Sequence, residues 1–209
     1  MKLNTGLLLI GCASVGSHLV ILVAMFLANG RRFVSEYMMD IIWYCATITM
    51  LFLIEHAVWL YVLWVVSRPP FLWRLGVAYF GVLVACVSWV MEVVVPMVPN
   101  VGKLHSIFCM IFIVGCLINL VASVLLVLPG KVQGVVLLLP PARGDYKGLM
   151  MAWCWLAVVC CGIWYVTRLV HAPVVHEPTL EIVAYSSYLA GLLTGLVAAV
   201  DGRIMGGGV

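Results

Sequence analysis

Apolar residues form long uninterrupted runs along the chain, at positions 7–28, 41–66, 75–95, 104–128, 149–170 and 182–200. These six runs are 19 to 26 residues long, and about 20 apolar residues in a helix cross the hydrocarbon core of a bilayer. Strands of a membrane barrel would alternate polar and apolar side chains, and these runs do not. The pattern therefore predicts an all-α integral membrane protein, a bundle of six transmembrane helices that occupies residues 1–209 as a single domain.

Composition supports this prediction and excludes several other classes. Of the 209 residues, 66% are hydrophobic and 9% are charged, whereas a soluble domain carries roughly a quarter charged residues. The formal net charge of +3 is too small and dispersed to indicate a nucleic-acid partner. The connections are too short for a separate soluble domain, and the longest, at 129–148, holds an apolar stretch that we expect to dip into the interface or lie on a partner.

The distribution of Lys and Arg gives an expected orientation. Six spans place one set of basic residues on the side of the termini: Lys2, Arg68, Arg74, Lys131, Arg143, Lys147 and Arg203. The opposite side receives Arg31, Arg32, Lys103 and Arg168. Because basic residues are enriched on the cytoplasmic side, this asymmetry predicts that both termini lie in the cytoplasm, or in the matrix of a mitochondrion.

Ionisable side chains inside apolar runs are costly and are candidates for function. Glu55 and His56 are adjacent near the midpoint of the second run, and His18 lies near the midpoint of the first, at a depth where it could meet either of them. Adjacent residues on a helix diverge by about 100°, so Glu55 and His56 must face different neighbours. Asn119 adds a polar amide in the fourth run, and Glu92 lies nearer a membrane face.

Three interpretations of His18, Glu55 and His56 stay open. The first is structural, with Glu55 bonded to another helix and fixing the register of the bundle. The second is a proton or cation relay, because histidine titrates near neutrality and burial shifts a carboxyl towards the same range. The third takes His18 and His56 as axial ligands of a haem; no other cofactor is predicted.

No catalytic or metal-binding motif is found. The serines lack a nucleophile-elbow context, and the eight cysteines lie inside apolar runs without a CxxC pair. A further polar group would share the side opposite the termini: Glu92, His105, His171, His176, Glu177 and Glu181. Their spacing matches no compact metal motif, so we expect solvated loop side chains there.

Small residues mark two helices as packing surfaces. Gly11 and Gly16 lie in the first half of the first helix, and Gly191 and Gly195 form a GxxxG pair in the last. Small residues let helix backbones approach closely in lipid. We therefore expect these glycines to pack against other helices, within the chain or in a partner.

The last helix resembles the last core helix of rhomboid-family proteins. Its sequence VAYSSYLAGLLTGL, at 183–196, carries the GxxxG pair of that family, with Tyr188 where the family has its catalytic histidine. In GKVQG, at 130–134, Val132 occupies the place of the family's serine, and the pair Trp73-Arg74 is similar to one in rhomboids and derlins. The resemblance covers about 14 residues and implies a six-helix rhomboid-like body without either catalytic residue, hence a pseudoprotease or an assembly factor.

These observations predict a membrane protein without an active site of its own. We expect a subunit or scaffold of a larger membrane complex, surrounded by lipid and by other membrane protein subunits. The alternative is a small proton- or cation-coupled transporter or channel that uses Glu55 and His56.

Overall fold

The computed structural model describes residues 3–28, 41–67, 72–94, 102–128, 145–169, 177–202 and 204. Six long helices make up almost all of these residues: α1 (Thr5–Ala28), α2 (Ile42–Val66), α3 (Leu72–Val94), α4 (Gly102–Ala122), α5 (Tyr146–Leu169) and α6 (Glu177–Val200). All six contain a segment long and apolar enough to cross a membrane. The predicted six-helix, all-α membrane class is confirmed.

Three helices begin at least three residues earlier than the apolar runs predict. α3 begins at Leu72, α5 at Tyr146 and α6 at Glu177, whereas the runs begin at 75, 149 and 182. The first turns of these helices contain polar residues. Such residues lower the mean hydropathy of a segment, but they suit the N-terminus of a helix. Asp145, for example, accepts a 2.9 Å hydrogen bond on Oδ1 from the backbone N–H of Gly148 and so caps α5. Of the connection at 129–148, residues 129–144 lie outside the described part of the chain.

Successive helices alternate in direction. The contacts of α2 with α3 pair Leu60 with Tyr79 and Thr49 with Trp89, as in antiparallel neighbours. α6 runs parallel to α2, since His56 contacts Tyr188 and Trp59 lies against Gly195. Hence the helix ends form two faces: the N-terminal face, at the start of α1, and the opposite face, at its end.

α6 occupies the centre of the bundle. Of its most apolar segment 67% is buried, compared with 33% in α1 and in α5. α6 packs most extensively against α5 and α1, and it also contacts α2 and α4. Side chains on several faces of α6 therefore meet protein instead of lipid.

Close contacts through glycine join several of these helices. A Cβ added to Gly11 would lie 2.7 Å from Cγ1 of Val58, one on Gly191 2.6 Å from Cδ2 of Leu120, and one on Gly195 2.6 Å from the Trp59 ring. Such distances are shorter than real Cβ contacts, so a larger residue at any of these three positions would have to displace the side chain that faces it. All three are among the glycines that the sequence predicted to pack.

Gly16 makes no such contact with the described residues, so its packing against another helix stays a prediction. A Cβ there would meet nothing within 4 Å. The buried stripe of α1 runs through Gly11, Ser14, Val15, His18 and Leu22, and Gly16 lies off that stripe because side chains three and four positions apart share a helix face.

The tightest backbone contact joins α3 and α4. A Cβ on Gly81 would lie 2.4 Å from the backbone nitrogen of Asn119, and one on Gly115 would lie 2.6 Å from that of Ala85. Asn119 also donates a 2.9 Å hydrogen bond from Nδ2 to the carbonyl of Ala78. We call this contact, through Ala78, Gly81, Ala85, Gly115 and Asn119, the glycine seam.

α4 ends in a wider turn. Residues Ser123–Val127 form a π-helix, and the hydroxyl of Ser123 donates a 2.7 Å hydrogen bond to the carbonyl of Asn119. The same hydroxyl accepts a 3.2 Å hydrogen bond from Nε1 of Trp59 on α2. The side-chain bonds of Ser123 thus fasten the end of α4 to α2 where the regular helix stops.

Candidate functional site

Glu55 is the centre of a buried polar group halfway along the helices. Its side chain is 0% exposed, and its Oε2 and Oε1 lie 3.2 and 3.3 Å from Nδ1 of His18 on α1. His18 is also fully buried. An ionised Glu55 can only accept hydrogen bonds, and Nδ1 of His18 is then the donor. This contact joins α1 to α2 at mid-membrane depth.

His56 turns to a different neighbour. Its Nδ1 lies 2.7 Å from the carbonyl oxygen of Phe52, one helical turn earlier, and its Nε2 lies 2.5 Å from the hydroxyl of Tyr188 on α6. A carbonyl only accepts, so Nδ1 carries the hydrogen. The carboxylate nevertheless stays close, with 3.7 Å between Oε1 of Glu55 and Nδ1 of His56.

A second tyrosine of α6 completes the group. The hydroxyl of Tyr185 lies 3.2 Å from Nε2 of His18, and the two rings meet edge to face with centroids 5.3 Å apart. Tyr185 and Tyr188 are three positions apart and so share one face of α6. We call the five side chains His18, Glu55, His56, Tyr185 and Tyr188 the mid-membrane cluster. All are at most 4% exposed.

The cluster can hold different numbers of protons with its heavy atoms in place. In a neutral His18, Nδ1–H donates to Glu55 and Nε2 accepts from the hydroxyl of Tyr185. In a protonated His18, both nitrogens donate, and the tyrosine oxygen accepts. His56 has the same two states, between the carbonyl of Phe52 and the hydroxyl of Tyr188. Each imidazole nitrogen therefore keeps a hydrogen-bond partner in either state.

These contacts bear on the haem interpretation of His18 and His56. Each of the four imidazole nitrogens already has a hydrogen-bond partner. An iron ligand needs a free nitrogen lone pair, so a haem would require breaking one contact at each ring. The geometry fits proton exchange better than ligation.

Asn119 lies apart from the cluster. It is fully buried, but its amide nitrogen binds the carbonyl of Ala78 in the glycine seam. The structure therefore separates the four candidate polar residues into a group of three, His18, Glu55 and His56, and one amide that joins α3 to α4.

Two carboxyl groups lie nearer the opposite face. Glu92 on α3 and Glu181 on α6 are 6% and 7% exposed, and both line a pocket of about 20 Å³ together with Trp89, Cys109, Phe112, Ile113 and Tyr185. We call this space the carboxyl pocket. The expectation that Glu92 and Glu181 are solvated loop side chains is wrong, because both side chains are buried. Glu92 lies inside α3, and Glu181 lies inside α6, which begins five residues before the predicted run.

The other residues of that predicted polar group cannot be placed in the pocket. His171 and His176 lie outside the described residues, and the side chains of His105 and Glu177 are not described either. Among the residues that the structure does describe, no set of three or more His, Cys, Asp and Glu side chains is arranged to hold a metal ion. The eight cysteines, all of them described, form no disulfide.

Sequence reasoning missed Tyr185, Tyr188 and the burial of Glu181. One signal was available, because Glu181, Tyr185 and Tyr188 follow the i, i+4, i+7 spacing of a single helix face. That stripe of polar and amphipathic side chains extends for about 10 Å at 1.5 Å per residue. It leads from near the opposite face to the middle of the bundle.

Comparisons with known proteins do not extend these findings. No family model, no curated protein and no solved structure matches the chain. The rhomboid resemblance stays a prediction from the residues of the last helix. In the structure, Tyr188, which replaces the family's histidine, is the hydrogen-bond partner of His56.

Proposed function

We propose that this multi-pass membrane protein moves protons, or couples their movement to that of another solute, through the mid-membrane cluster. The observation that carries the proposal is the continuous contact from Tyr185 through His18 to Glu55, with His56 and Tyr188 beside it. Each imidazole stands between a hydrogen-bond acceptor and a tyrosine hydroxyl, and each can gain or lose a proton without moving.

The charges of the cluster explain why protons are the favoured species. An ionised Glu55 with two neutral imidazoles would place one net negative charge in the middle of the bilayer, which is unfavourable. One added proton makes the cluster neutral while every contact is kept. A metal cation would instead have to compete for that carboxylate with His18, which lies at hydrogen-bonding distance, and with His56, which lies 3.7 Å away.

Proton flux into proteoliposomes tests the proposal. The purified protein is reconstituted with an internal pH-sensitive dye, and a pH gradient is imposed with the membrane potential clamped. We expect Glu55→Gln and His18→Gln to reduce the flux at least about a hundredfold, the scale of losing a positioned proton-transfer group. Thr49→Val is the matched control, because it removes the 3.0 Å hydrogen bond from Trp89 to α2 without touching a titratable group.

Two results would contradict the proposal. The first is that the intact protein produces no proton flux above that of empty liposomes. The second is that the Glu55→Gln variant conducts protons as well as the Thr49→Val variant. Circular dichroism of each variant in detergent establishes that its helices are formed, so that a loss of flux is assigned to the missing group.

A second candidate function is the scaffold or complex subunit, with the rhomboid-like pseudoprotease as its specific form. The observation in its favour is that every polar atom of His18 and His56 is satisfied inside one chain, as in a cluster that fixes how helices fit together. Purification in mild detergent followed by mass measurement tests it. A stable complex with another membrane protein supports this candidate, and a lone monomer contradicts it.

A further inference from the structure

The hydroxyl of Tyr188 has a second hydrogen-bond partner besides His56. The thiol of Cys116, on α4, hydrogen-bonds to the same hydroxyl. Cys116 and Tyr188 are each 1% exposed, so this bond lies in the protein interior. The thiol therefore adds α4 to the helices that meet at the mid-membrane cluster, whose own side chains come from α1, α2 and α6.

Two neighbouring contacts fix the position of Cys116 against α6. The rings of Phe112 and Tyr185 meet with centroids 5.4 Å apart. A Cβ on Gly191 would lie 2.6 Å from Cδ2 of Leu120. Cys116 is one helical turn from each of the two α4 residues, and the tyrosine that it meets is three positions from each of the two α6 residues. The packing of two parallel helices thus holds the thiol beside the hydroxyl.

The orientation of each hydrogen follows from the partners of His56. Nδ1 of His56 lies against the carbonyl of Phe52, which only accepts, so Nδ1 carries a hydrogen. In a neutral His56, Nε2 has no hydrogen, and the hydroxyl of Tyr188 donates to it. The oxygen of Tyr188 then accepts from the S–H of Cys116. The hydrogens point from thiol to hydroxyl and from hydroxyl to imidazole.

A protonated His56 reverses this order. Nε2–H then donates to the oxygen of Tyr188, so the hydroxyl hydrogen has to turn to another acceptor. The sulfur of Cys116 is in place to accept it. A thiol is a weak donor and a weak acceptor, so turning its own hydrogen away costs little. Cys116 can therefore satisfy the hydroxyl in both states of His56.

We infer that Cys116 is a positioning residue of the mid-membrane cluster, whose thiol reverses its hydrogen bond with Tyr188 each time His56 gains or loses a proton. The proton that His56 gains goes to Nε2, while Tyr188 and Cys116 keep their own hydrogens and only rotate them. Without the sulfur, the hydroxyl beside a charged His56 would have no acceptor, and a buried donor without a partner is unfavourable. The consequence for transport rests on the proposed function, whereas the reversal is a property of the cluster itself.

Other titratable groups surround this contact besides the tyrosines of α6. Oε1 of Glu55 lies 3.7 Å from Nδ1 of His56, and His18 on α1 acts electrostatically on the same imidazole. On α3, Glu92 and Cys86 act electrostatically on the thiol. These groups influence the pH at which the imidazole is protonated. The thiol differs from them because it bonds directly to the hydroxyl that has to turn.

Infrared spectroscopy tests the reversal. The S–H stretching band lies in a region clear of other protein bands, and its frequency falls when the thiol donates a hydrogen bond. The band of Cys116 is the difference between the spectra of the intact protein and of Cys116→Ala. We expect the frequency of a donating thiol at alkaline pH and a higher frequency at acidic pH, where His56 is charged. In Tyr188→Phe the band is expected to keep one frequency.

Two spectroscopic results would overturn the inference. The first is a Cys116 band that keeps its frequency at every pH at which the helices stay formed. The second is a band that moves with pH in Tyr188→Phe as it does in the intact protein. If Cys116→Ala does not form its helices by circular dichroism, Cys116→Ser supplies the difference spectrum instead.

Proton flux in proteoliposomes tests the role in transport. Cys116→Ala is expected to lower flux about threefold, the scale of one hydrogen bond between membrane helices. Cys116→Ser is expected to restore most of the flux, because a hydroxyl also donates and accepts. Cys154→Ala is the matched control, since it deletes a thiol that is 2% exposed from α5, a helix that contributes no side chain to the cluster. In a Tyr188→Phe protein, adding Cys116→Ala is expected to change the flux no further.

The outcomes separate the inference from the proposed function. If the intact protein conducts no protons while the S–H band moves with pH, the proposed function fails and the reversal at Cys116 stands. If Glu55→Gln stops flux while Cys116→Ala conducts like Cys154→Ala, the proposed function stands and the role of Cys116 in transport is overturned. Failure of Cys116→Ser to restore flux would also overturn that role, since it would show that the thiol acts by its volume.

Discussion

The mid-membrane cluster and the glycine seam attach helices by opposite means. In the cluster, long polar side chains reach between α1, α2 and α6 and satisfy one another. In the seam, the absence of side chains at Gly81 and Gly115 lets the backbones of α3 and α4 touch. Lipid tails are as apolar as leucine, so neither contact is driven by removing apolar surface from water. The seam depends on shape, with one hydrogen bond from Asn119 to Ala78, whereas the cluster depends on hydrogen bonds between titratable side chains.

The largest expected effect is the loss of the glycine seam in Gly81→Leu. A Cβ at this position would lie 2.4 Å from a backbone nitrogen, so α3 and α4 must separate, at a cost of about 3 kcal/mol or more in the free energy of unfolding. Gly76→Leu is the control on the same helix, because a Cβ there meets nothing within 4 Å. Unfolding in SDS followed by circular dichroism measures both, and equal stability of the two variants would show that the seam is not a close contact.

Glu55→Ala is expected to have the next largest effect on stability. It leaves Nδ1 of His18 without its acceptor in a fully buried place, which costs about 2 kcal/mol. Glu55→Gln keeps an acceptor oxygen and loses about half as much, while proton flux is lost in both. SDS unfolding of the two variants beside flux assays checks this. Equal destabilisation by alanine and glutamine would mean that charge, and not hydrogen bonding, joins α1 to α2.

Tyr188→Phe tests how much a single hydrogen bond of the mid-membrane cluster contributes to stability. The change removes the partner of Nε2 of His56 and keeps the ring, so the free energy of unfolding falls by about 1 kcal/mol, the usual scale of a hydrogen bond between membrane helices. Tyr165→Phe is the matched control, since that side chain is 54% exposed and its loss is expected to be smaller. A Tyr188→Phe protein as stable as the control would indicate that the contact adds no stability.

The smallest effect is expected at Gly16→Ala. A Cβ at Gly16 meets no atom within 4 Å. The free energy of unfolding of the variant is therefore expected to stay within about 0.5 kcal/mol of that of the unmodified protein. Gly11→Ala, five residues earlier, must displace the side chain of Val58 and is expected to cost about 1 kcal/mol. If Gly16→Ala destabilises as much as Gly11→Ala, a partner protein covers that part of α1 in the purified sample.

Part of the candidate site could be predicted from the sequence. Glu55, His18 and His56 stand out because ionisable residues in apolar runs are rare, and the depth of His18 allowed its contact with Glu55. Tyr185 did not stand out, because tyrosine is ordinary in membrane helices, and Tyr188 was noted only through the rhomboid resemblance. Glu92 and Glu181 were expected in solvent, since hydropathy does not show which way a polar residue near a helix end will turn.

The packing of the glycines could likewise be predicted only in part from the sequence. Gly11 and Gly16 have similar surroundings in the sequence, yet a Cβ on Gly11 would meet Val58 and one on Gly16 would meet no atom within 4 Å. Among the described glycines, Gly81 and Gly115 bring a hypothetical Cβ closest to a facing backbone, although neither belongs to a glycine motif. Whether a glycine packs against a second helix depends on the sequences of both helices, so the sequence of one helix does not predict it.

The sequence by itself determined that the chain lies in a membrane as six helices. The physical reason is that a backbone inside lipid must satisfy its own hydrogen bonds, so six sufficiently long apolar runs become six helices wherever they pack. Only the tertiary structure decided which polar groups meet. When helices are apolar on all sides, shape and single hydrogen bonds decide which helices pack together. Here those interactions place Glu55 between His18 and His56 and join the two histidines to the tyrosines of α6.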